Sequence, residues 1–301
     1  MEPKNKNCEN LKENEKGFAP QCEGCPNKKI CQSNVNELLK TTNKVSQSLS
    51  KVKNIILILS GKGGVGKSTV ATQLSYSLSA KNLEIGLLDV DICGPSIPQM
   101  MGLKNSEIHS SSEGWTPVYK KENLAVMSIG FLLQNQDEAV IWRGPRKNGL
   151  ILQFLTETNW GKLDFLIIDT PPGTSDEHLS LVSYLSKFDL KGAIIVTTPQ
   201  EVALADVRKE LNFCKKTDIK VMGIVENMSG FVCKHCGEKT EIFGGENEGV
   251  KKMSNEFGVP IIGKIPLEMK LMLSGENGEW IEEESEAKNE MEKVAEFVMK
   301  H

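Results

Sequence analysis

Short apolar runs recur along the chain from Ile55 onward, and segments with helical spacing lie between most of them. Such runs are typical of strands buried on both faces, and their alternation with helices predicts a parallel sheet covered on both sides. We therefore predict an α/β protein with a mostly parallel, doubly wound sheet. The predicted strands are 55–59, 85–89, 124–129, 164–169, 192–198, 221–226 and 260–265. The predicted helices are 67–81, 146–158, 178–187, 202–215, 246–257 and an amphipathic 284–300.

The first fifty residues differ from the rest, because they are rich in Asn, Lys, Glu and Ser and contain few large apolar residues. A segment of this composition buries too little apolar surface to fold alone. We expect two parts: a flexible, cysteine-rich arm over residues 1–50 and the α/β domain over residues 51–301.

Composition and charge narrow the class of protein. The chain has 301 residues, 39% of them hydrophobic, and a net charge of −4. These values are typical of an ordinary globular protein and argue against a dedicated nucleic-acid binder. The charged amino terminus lacks the apolar core of a secretory signal, and no apolar run reaches the length of a membrane span. We expect a cytoplasmic protein with neither a membrane nor a nucleic-acid partner, whose eight cysteines include metal ligands and do not form disulfides.

The stretch SGKGGVGKST, residues 60–69, contains the pattern G-x-x-x-x-G-K-[ST] between a predicted strand and a predicted helix. Glycines let the backbone N–H groups approach phosphates at a helix N-terminus. We expect Lys67 to contact the β- and γ-phosphates of ATP and Ser68 to bind Mg²⁺. The predicted nucleotide-binding residues are Gly61, Lys62, Gly63, Gly64, Val65, Gly66, Lys67, Ser68 and Thr69. The sequence thus predicts a P-loop nucleotide site.

Two acidic motifs follow the P-loop along the chain. DFLIIDTPPG ends a predicted strand in Asp169, the position of a carboxylate that holds Mg²⁺ through water, and the N–H of Gly173 could contact a γ-phosphate. LLDVDICGPS ends another strand, and Asp91 then lies beyond the carboxyl ends of the strands, where such folds bind ligands. Asp91 is the candidate for orienting the attacking water. The alternatives are a turn-capping Asp169 and a solvated loop Asp91.

The P-loop has two lysines, Lys62 and Lys67, although phosphate binding needs one. GKGGVGKST resembles the deviant P-loop of the MinD/Mrp-type ATPases, a family that includes the nitrogenase iron protein. The resemblance implies a P-loop NTPase fold and a Lys62 that reaches across a dimer interface to the partner's nucleotide. A cation delivered in this way would stabilise the charge that develops on the transferred phosphoryl group. The alternative is a solvated loop lysine.

Four cysteines in the first fifty residues have the spacing of one metal site. They follow the pattern C-x13-C-x2-C-x5-C and are Cys8, Cys22, Cys25 and Cys31. Four thiolates can hold either zinc or an iron–sulfur cluster, and the spacing leaves both open. Cysteines without any ligand are the third possibility.

A second cysteine pair, Cys233 and Cys236 in FVCKHCGE, supplies only half of a four-ligand site. Cys93 and Cys214 are isolated and are expected to be buried structural thiols, and His235 is not favoured as a ligand. A twofold dimer would bring two such pairs to one axis and complete a four-cysteine site. A redox C-x-x-C or a zinc knuckle is the competing interpretation.

Taken together, the motifs resemble one branch of the same family. The four-cysteine arm, the deviant P-loop, DVDICGPSIPQMMG, VIWRGPRKNGLI, DTPPGTSDEH and NMSGFVCKHC are similar to the larger subunit of the eukaryotic cytosolic iron–sulfur scaffold ATPases. This resemblance implies a [4Fe–4S] cluster on the arm and a labile [4Fe–4S] cluster that bridges two subunits at Cys233 and Cys236. It further implies ATP-dependent assembly of clusters and their transfer to apoproteins.

The same resemblance implies partners and a base contact. The partners are a second copy or a smaller scaffold subunit without the arm, together with apoprotein acceptors and targeting factors. Asn227 matches the asparagine that contacts adenine. The chain departs from the family in an abbreviated IFGGEN segment and in having Pro266-Leu-Glu-Met where relatives have Pro-Leu-Asp-Pro.

Three other classes of protein compete with a scaffold. A membrane- or DNA-bound positioning ATPase needs a basic amphipathic helix or a basic face, but residues 279–293 are strongly acidic. A reductase like the nitrogenase iron protein has bridging cysteines that lie far apart in sequence. A zinc-binding regulatory ATPase fits the cysteine spacing as well as a scaffold does.

Overall fold

The computed structural model describes residues 15–112, 114–133, 142, 144–233, 235–243, 249–282 and 284–301, which form an α/β fold. The strands are β1 (Val52–Leu59), β2 (Ile85–Asp89), β3 (His109–Ser111), β4 (Gly114–Thr116), β5 (Val118–Lys121), β6 (Leu124–Ser128), β7 (Leu163–Asp169), β8 (Gly192–Thr197), β9 (Val221–Val232), β10 (Lys239–Thr240) and β11 (Ile261–Leu267). The helices are α1 (Lys28–Ser48), α2 (Lys67–Ser79), α3 (Ile97–Met100), α4 (Gly144–Thr156), α5 (Asp176–Tyr184), α6 (Glu201–Lys216), α7 (Gly249–Phe257), α8 (Met269–Asn277) and α9 (Glu286–Lys300).

One mostly parallel sheet organises these elements. Its order is β10-β9-β8-β1-β7-β2-β6-β5, and β11 also pairs with β9. The two short strands β5 and β10 are antiparallel to their neighbours, whereas the other pairings in this sheet are parallel. Because parallel neighbours need crossover connections, helices cover both faces. The predicted fold class is confirmed, and each of the seven predicted strands is present.

Side chains of the central strand β1 alternate between two hydrophobic cores. Ile55, Leu57 and Leu59 pack with buried residues of α1, α4, α5, α6 and α7. Ile56 and Ile58 pack with buried residues of α2, α8 and α9 on the opposite face. The two-residue period of a strand divides a continuous apolar run in this way, so residues 55–59 of β1 are buried on both faces.

Helix α1 differs from the expected flexible arm over residues 1–50. It spans 21 residues, and it packs against α4 and α5. Val35 and Val45 are buried on α1, as is Leu49 directly after it, and the Ser48 hydroxyl donates a hydrogen bond to the Thr156 carbonyl over 3.2 Å. Thr42, Val45 and Leu49 are buried at separations of three and four residues, and Val35 lies seven residues before Thr42, so the buried positions form a narrow stripe on one face of the helix. The amino-acid composition of residues 1–50 as a whole does not reveal so narrow a stripe.

The residues expected in the functional site lie on, or directly after, four strands of the sheet, β1, β2, β7 and β9. The P-loop follows β1, Asp91 follows β2, and Asp169 is the last residue of β7. Asn227 lies within β9, one strand beyond β8. Parallel strands end at the same edge of a sheet, so the fold brings these residues to one crevice. No helix in the described part of the chain combines the length and the apolarity that a membrane span requires.

Candidate functional site

The P-loop connects β1 to α2 in a conformation that depends on glycine. Gly64 and Gly66 have φ angles of +79° and +86°, in the left-handed region. A Cβ on Gly66 would also overlap the Asn227 amide, which donates a hydrogen bond to the Val65 carbonyl over 2.9 Å. Asn227 therefore fastens the P-loop to β9. This contact explains why a glycine precedes Lys67.

A single carboxylate holds two P-loop side chains. The Lys67 Nζ lies 2.7 Å from Asp169 Oδ1, and the Ser68 hydroxyl donates to Asp169 Oδ2 over 2.6 Å. Lys67 and Asp169 are both buried. Sequence reasoning expected Lys67 at phosphate, and Ser68 and Asp169 at Mg²⁺. The structure brings all three together, and a nucleotide with its metal ion would exchange these contacts for its own.

Two further aspartates surround this pair. Asp89 is completely buried; it accepts hydrogen bonds from the Ser128 hydroxyl over 2.9 Å and from the Asp91 N–H over 3.0 Å. Burial, together with the nearby Asp169 charge, raises the pKa of Asp89 well above its ordinary value. Burial also raises the pKa of Asp91, although Lys67 partly offsets the effect. Because buried carboxylates favour protonation, a bound cation would relieve the crowding of negative charge.

A cavity of about 420 Å³ lies above the P-loop. Its wall includes Lys62, Gly63, Gly64, Gly66, Lys67, Ser68, Thr69 and Asp91. The side chain of Lys62 is exposed at the rim, where it can extend away from its own subunit. Seven of the nine predicted P-loop residues thus line one cavity together with Asp91, whereas Gly61 and Val65 are not part of its wall.

Gly173 lies near the P-loop, but its N–H group is engaged. It has a φ angle of +77°, and its N–H donates to the Ser60 carbonyl over 2.8 Å. Contact with a γ-phosphate, the role expected from sequence, would require this N–H to exchange the Ser60 carbonyl for the phosphate.

A second cavity, of about 350 Å³, adjoins the first. The two share Gly66, Thr69, Met100 and Met228. Asn227 lines the second cavity, as expected of a residue beside a nucleotide base. Pro266-Leu-Glu also lines it, although this segment departs from the family pattern. A volume of this size suits a small organic ligand.

Sequence reasoning missed the remaining wall of the second cavity. Helix α8 contributes Leu271, Met272 and Gly275, and α3 contributes Met100. Helix α3 has only four residues, and α8 carries no motif, so neither could be assigned to this site from sequence. Met228, with a φ angle of +56°, also was not predicted. β-strand periodicity does not anticipate its left-handed conformation beside the P-loop.

Three cysteines of the arm lie among the described residues, directly before α1 or in its first turn. Cys22 is buried, Cys25 and Cys31 are half-buried, and Cys8 lies outside the described residues. The Gly17 N–H donates to the Cys22 sulfur over 3.3 Å, a contact that also occurs around metal-bound thiolates. Within the described ranges, no three His, Cys, Asp or Glu side chains are grouped closely enough to hold a metal ion.

The pair Cys233 and Cys236 lies in a tight turn directly after β9. The Gly237 N–H donates to the Cys233 carbonyl over 2.8 Å, and Gly237 adopts a φ angle of +73°. Cys236 is exposed and Cys233 is half-buried. A turn of this kind places both thiols at the surface as two soft ligands, which is half of a four-cysteine site.

The two isolated cysteines have different surroundings. Cys214 is buried on α6, as predicted, and burial raises the pKa of its thiol. Cys93 is exposed, so its prediction as a buried structural thiol is wrong. The reason is that β2 ends at Asp89, so Cys93 belongs to the loop that follows, although Ile92 beside it is still buried.

The fold and its loop-bounded cavities define a P-loop NTPase of the α/β class. Residues 51–299 match the family described as ParA, NUBPL iron-transfer P-loop NTPase, and the chain belongs to this family. The resemblance to MinD/Mrp-type ATPases, inferred from GKGGVGKST, is confirmed by this match.

Solved structures show the same relationship. One is a nucleotide-binding protein from Archaeoglobus fulgidus in complex with ADP, in which cobalt was detected. It is 37% identical to this chain, the match covers 82% of this chain and 95% of that chain, and the TM-score is 0.70. The cell division ATPase MinD of Pyrococcus furiosus is 22% identical over 82% of this chain and 99% of that chain, with a TM-score of 0.57. The septum site-determining protein MinD of Pyrococcus horikoshii, complexed with Mg-ADP, is 22% identical over 81% and 95%, with a TM-score of 0.58. The two MinD structures show the shared fold alone.

Proposed function

We propose that this protein is an ATP-hydrolysing scaffold that assembles [4Fe–4S] clusters and transfers them to apoproteins. The observation that supports the proposal most directly is that β9 connects the nucleotide cavity to the cysteine pair. This strand contains Asn227, which lines the second cavity and holds the P-loop, and it leads directly to Cys233. Six extended residues span about 20 Å, and the left-handed Met228 makes this stretch shorter than that. One rigid element therefore joins the nucleotide site to an accessible pair of thiols.

The nucleotide would bind across both cavities. Its phosphates would lie on the P-loop with Lys67, its Mg²⁺ beside Ser68 and Asp169, and its base beside Asn227. Asp91 would orient the attacking water, and Gly173 would contact the γ-phosphate. The ADP complex of the Archaeoglobus fulgidus relative supports nucleotide binding.

We further propose that the working form is a dimer. The exposed Lys62 at the cavity rim can act on a partner's nucleotide, and two Cys233–Cys236 turns together supply four thiolates for a bridging cluster. The partner is either a second copy or a smaller subunit without the arm. The iron-transfer description of the family supports a cluster as the cargo. Targeting factors and cytosolic or nuclear apoproteins would be the recipients, and the cytoplasm the place of action.

The arm, residues 1–50, would hold a second [4Fe–4S] cluster that stays with the protein. Cys8, Cys22, Cys25 and Cys31 are the ligands, and the Gly17 N–H would stabilise the thiolate of Cys22. A resident cluster of this kind supplies electron transfer.

Anaerobic purification followed by iron, zinc and acid-labile sulfide analysis tests the proposal. Reconstituted protein should contain iron and sulfide in equal amounts, hydrolyse ATP, and activate an apoprotein that needs a [4Fe–4S] cluster. Zinc without sulfide would instead identify a zinc-binding regulatory ATPase, which the cysteine spacing also permits. A positioning ATPase of the MinD/ParA class would hydrolyse ATP and contain neither metal.

A further inference from the structure

The helix that follows the P-loop is attached to the wall of the second cavity by two of its side chains. Gln73 and Tyr76 lie on α2, three residues apart, and both are buried. Thr69, which lines both cavities, precedes Gln73 by four residues. Residues spaced by three and four positions share one face of a helix, so the face of α2 that lines the cavities also presents these two side chains.

Tyr76 contacts the carboxyl end of α8. Its hydroxyl donates a hydrogen bond to the Gly278 carbonyl over 2.8 Å, and its ring lies 6.3 Å from that of Trp280, measured between centroids. Burial raises the pKa of Tyr76, so the hydroxyl keeps its proton and remains a donor. Because Gly278 is the left-handed residue that caps α8, this hydrogen bond holds the helix at the point where it ends.

Gln73 contacts the last turn of α8 and the residue that follows its cap. Its Nε2 donates to the Ser274 hydroxyl and to the Glu279 carbonyl, each over 3.2 Å. A carbonyl can only accept, so the amide nitrogen, and not the amide oxygen, must face Glu279. Among the described residues, the Gln73 Oε1 has no hydrogen-bond partner. The contacts with Ser274 and Glu279 therefore orient this buried amide.

Two glycines let α8 end directly against the segment after α3. Gly102 and Gly278 have φ angles of +62° and +70°. A Cβ on Gly278 would lie 2.1 Å from the Gly102 nitrogen, which is closer than the two atoms can approach. The end of α8 is thus enclosed between α2 and α3, and Met100 of α3 also lines the second cavity.

The outer side of α8 is exposed to solvent. Met269, Met272 and Leu273 are 46%, 57% and 45% exposed. The position of α8 therefore depends on the contacts of its inner side. Leu271, Met272 and Gly275 line the second cavity, so a displacement of α8 would change the shape of that cavity.

We propose that Gln73 and Tyr76 are positioning residues for the nucleotide base. They hold α8 against α2, and α8 then forms the wall that a base would contact through Leu271 and Met272. Both residues belong to the helix that begins at Lys67, so one rigid element sets the phosphate contacts and the position of the base wall. Neither residue is part of the described wall of either cavity, so each acts through α8. This inference rests on the proposed binding of a nucleotide across both cavities.

Binding of ATP and of inorganic triphosphate to Tyr76→Phe and Gln73→Met, both measured with Mg²⁺, tests the inference. Each substitution nearly keeps the size of the side chain and removes its hydrogen bonds to α8 or its cap. The Kd for ATP should rise by about fivefold, because α8 is in place in a smaller fraction of the molecules. The Kd for inorganic triphosphate, which has no base, should change by less than about twofold. Tyr119→Phe, at an exposed tyrosine outside both cavities, is the matched control and should bind both ligands as the wild type does.

The ratio of the two Kd values separates positioning from a general loss of structure. A variant that is merely less well folded would lose affinity for ATP and for triphosphate alike. An unchanged ratio in Tyr76→Phe and Gln73→Met would therefore overturn the inference. Should either variant fail to fold, Ser274→Ala removes a Gln73 acceptor from the side of α8, and it must weaken ATP binding selectively or the inference is overturned.

A double-variant cycle tests the contact between Gln73 and Ser274 directly. Gln73→Met already removes this hydrogen bond, so adding Ser274→Ala should raise the Kd for ATP little further. If the effects of the two substitutions instead multiply, the two side chains act independently of each other and the inference is overturned.

Hydrogen–deuterium exchange keeps the inference separable from the proposed function. If the wild type binds no ATP, the proposed function fails, but the attachment of α8 can still be measured. Peptides covering 269–279 should exchange faster in Tyr76→Phe and in Gln73→Met than in the wild type, whereas peptides of α6 should not change. Equal exchange of 269–279 in all three proteins would show that neither side chain holds α8, and it would overturn the inference.

Discussion

Lys67 and Asp169 form a buried ion pair, with the ammonium 2.7 Å from the carboxylate. Asp169 also accepts the hydroxyl hydrogen bond of Ser68. The three groups expected to hold phosphate and Mg²⁺ therefore contact one another directly. A nucleotide with its metal ion would offer each charge of this buried pair a replacement partner.

Replacing Lys67 should affect both binding and stability. We expect Lys67→Ala to lose ATP binding, and the uncompensated Asp169 should lower the free energy of unfolding by about 3–5 kcal/mol. Titration with a fluorescent ATP analogue and urea denaturation measure the two effects. Lys53→Ala, at the exposed pair with Asp164, should cost no more than about 1 kcal/mol and leave binding intact. Wild-type affinity in Lys67→Ala would show that this lysine does not contact the nucleotide.

Lys62 should behave differently from Lys67, because its side chain is exposed at the cavity rim. We expect Lys62→Ala to bind ATP with nearly unchanged affinity and to hydrolyse it slowly. If Lys62 acts on the partner's site, mixing Lys62→Ala with Asp91→Ala subunits should restore activity in some sites. Mixed dimers that form but stay inactive at every ratio would contradict action across the interface.

The central part of the fold was predictable from sequence because three signals agree there. The strand predicted at 55–59 is β1, Val52–Leu59, and the helix predicted at 67–81 is α2, Lys67–Ser79. An apolar run, glycines at left-handed positions and a lysine–serine pair at the helix start all specify the same strand–loop–helix unit. The convergence of Lys67 and Asp169 followed from the rule that parallel strands end at one edge.

What the sequence did not predict depends on contacts between distant segments. Helix α1 is stable where its apolar stripe meets α4 and α5, and no local pattern identifies that surface. The second cavity depends on α8 lying across from Asn227. Cys93 was expected to be buried because apolar residues precede it, but the chain leaves the sheet before that position. In each case the deciding quantity is tertiary packing, which overrides local propensity.

Helix α1 changes the expected result of removing the arm. From the sequence, residues 1–50 were expected to form a flexible arm, but Val45 and Leu49 are completely buried against the α/β domain. Burying such a side chain contributes about 1.5–3 kcal/mol, so deletion of residues 1–50 should lower the free energy of unfolding by about 3 kcal/mol or more. Deletion of residues 1–27 should leave it unchanged. Urea denaturation of the two truncated proteins measures the difference, and equal stability would mean that α1 does not pack in solution.

The two cysteine sets should differ in how tightly they hold iron. The pair Cys233 and Cys236 provides two ligands per chain, so a bridging cluster should be lost when subunits separate. A site with all four ligands from one chain should retain its cluster. We expect the double variant Cys233→Ala, Cys236→Ala to keep the arm's iron and ATP binding, yet fail to transfer clusters to an apoprotein. Iron and sulfide per dimer, followed by a transfer assay, measure this.

A matched control for that variant is available in Cys93→Ala. Cys93 is also exposed, but it lies in the loop after β2 and belongs to neither set. Its substitution should leave iron content and sulfide content unchanged. Transfer at the wild-type rate by the Cys233→Ala, Cys236→Ala protein would show that these cysteines are not the working scaffold.

The side chain of Glu210 is buried in the core, among the buried apolar residues of α6. It is completely buried, and neither of its oxygens has a hydrogen-bond partner among the described residues. Burial raises its pKa from 4.5 to about 8. Between these two values the folded protein retains a proton that the unfolded chain has lost. The free energy of unfolding should therefore fall as pH rises through this range, and the fall should end above pH 8.

Glu210→Gln should remove this dependence, because an amide has nearly the same shape and does not titrate. One pKa unit corresponds to about 1.4 kcal/mol, so between pH 6.5 and 8 the wild type should lose up to about 2 kcal/mol more than the variant. Urea denaturation across that range measures the difference. The range from pH 6.5 to 8 also excludes the titration of His178. Burial lowers the pKa of His178 from 6.5 to about 4, so its effect on the free energy of unfolding lies below pH 6.5. Glu122→Gln, at an exposed turn between β5 and β6, should follow the wild type. If Glu210→Gln follows it as well, Glu210 is ionised in the folded protein and must have a partner that compensates its charge.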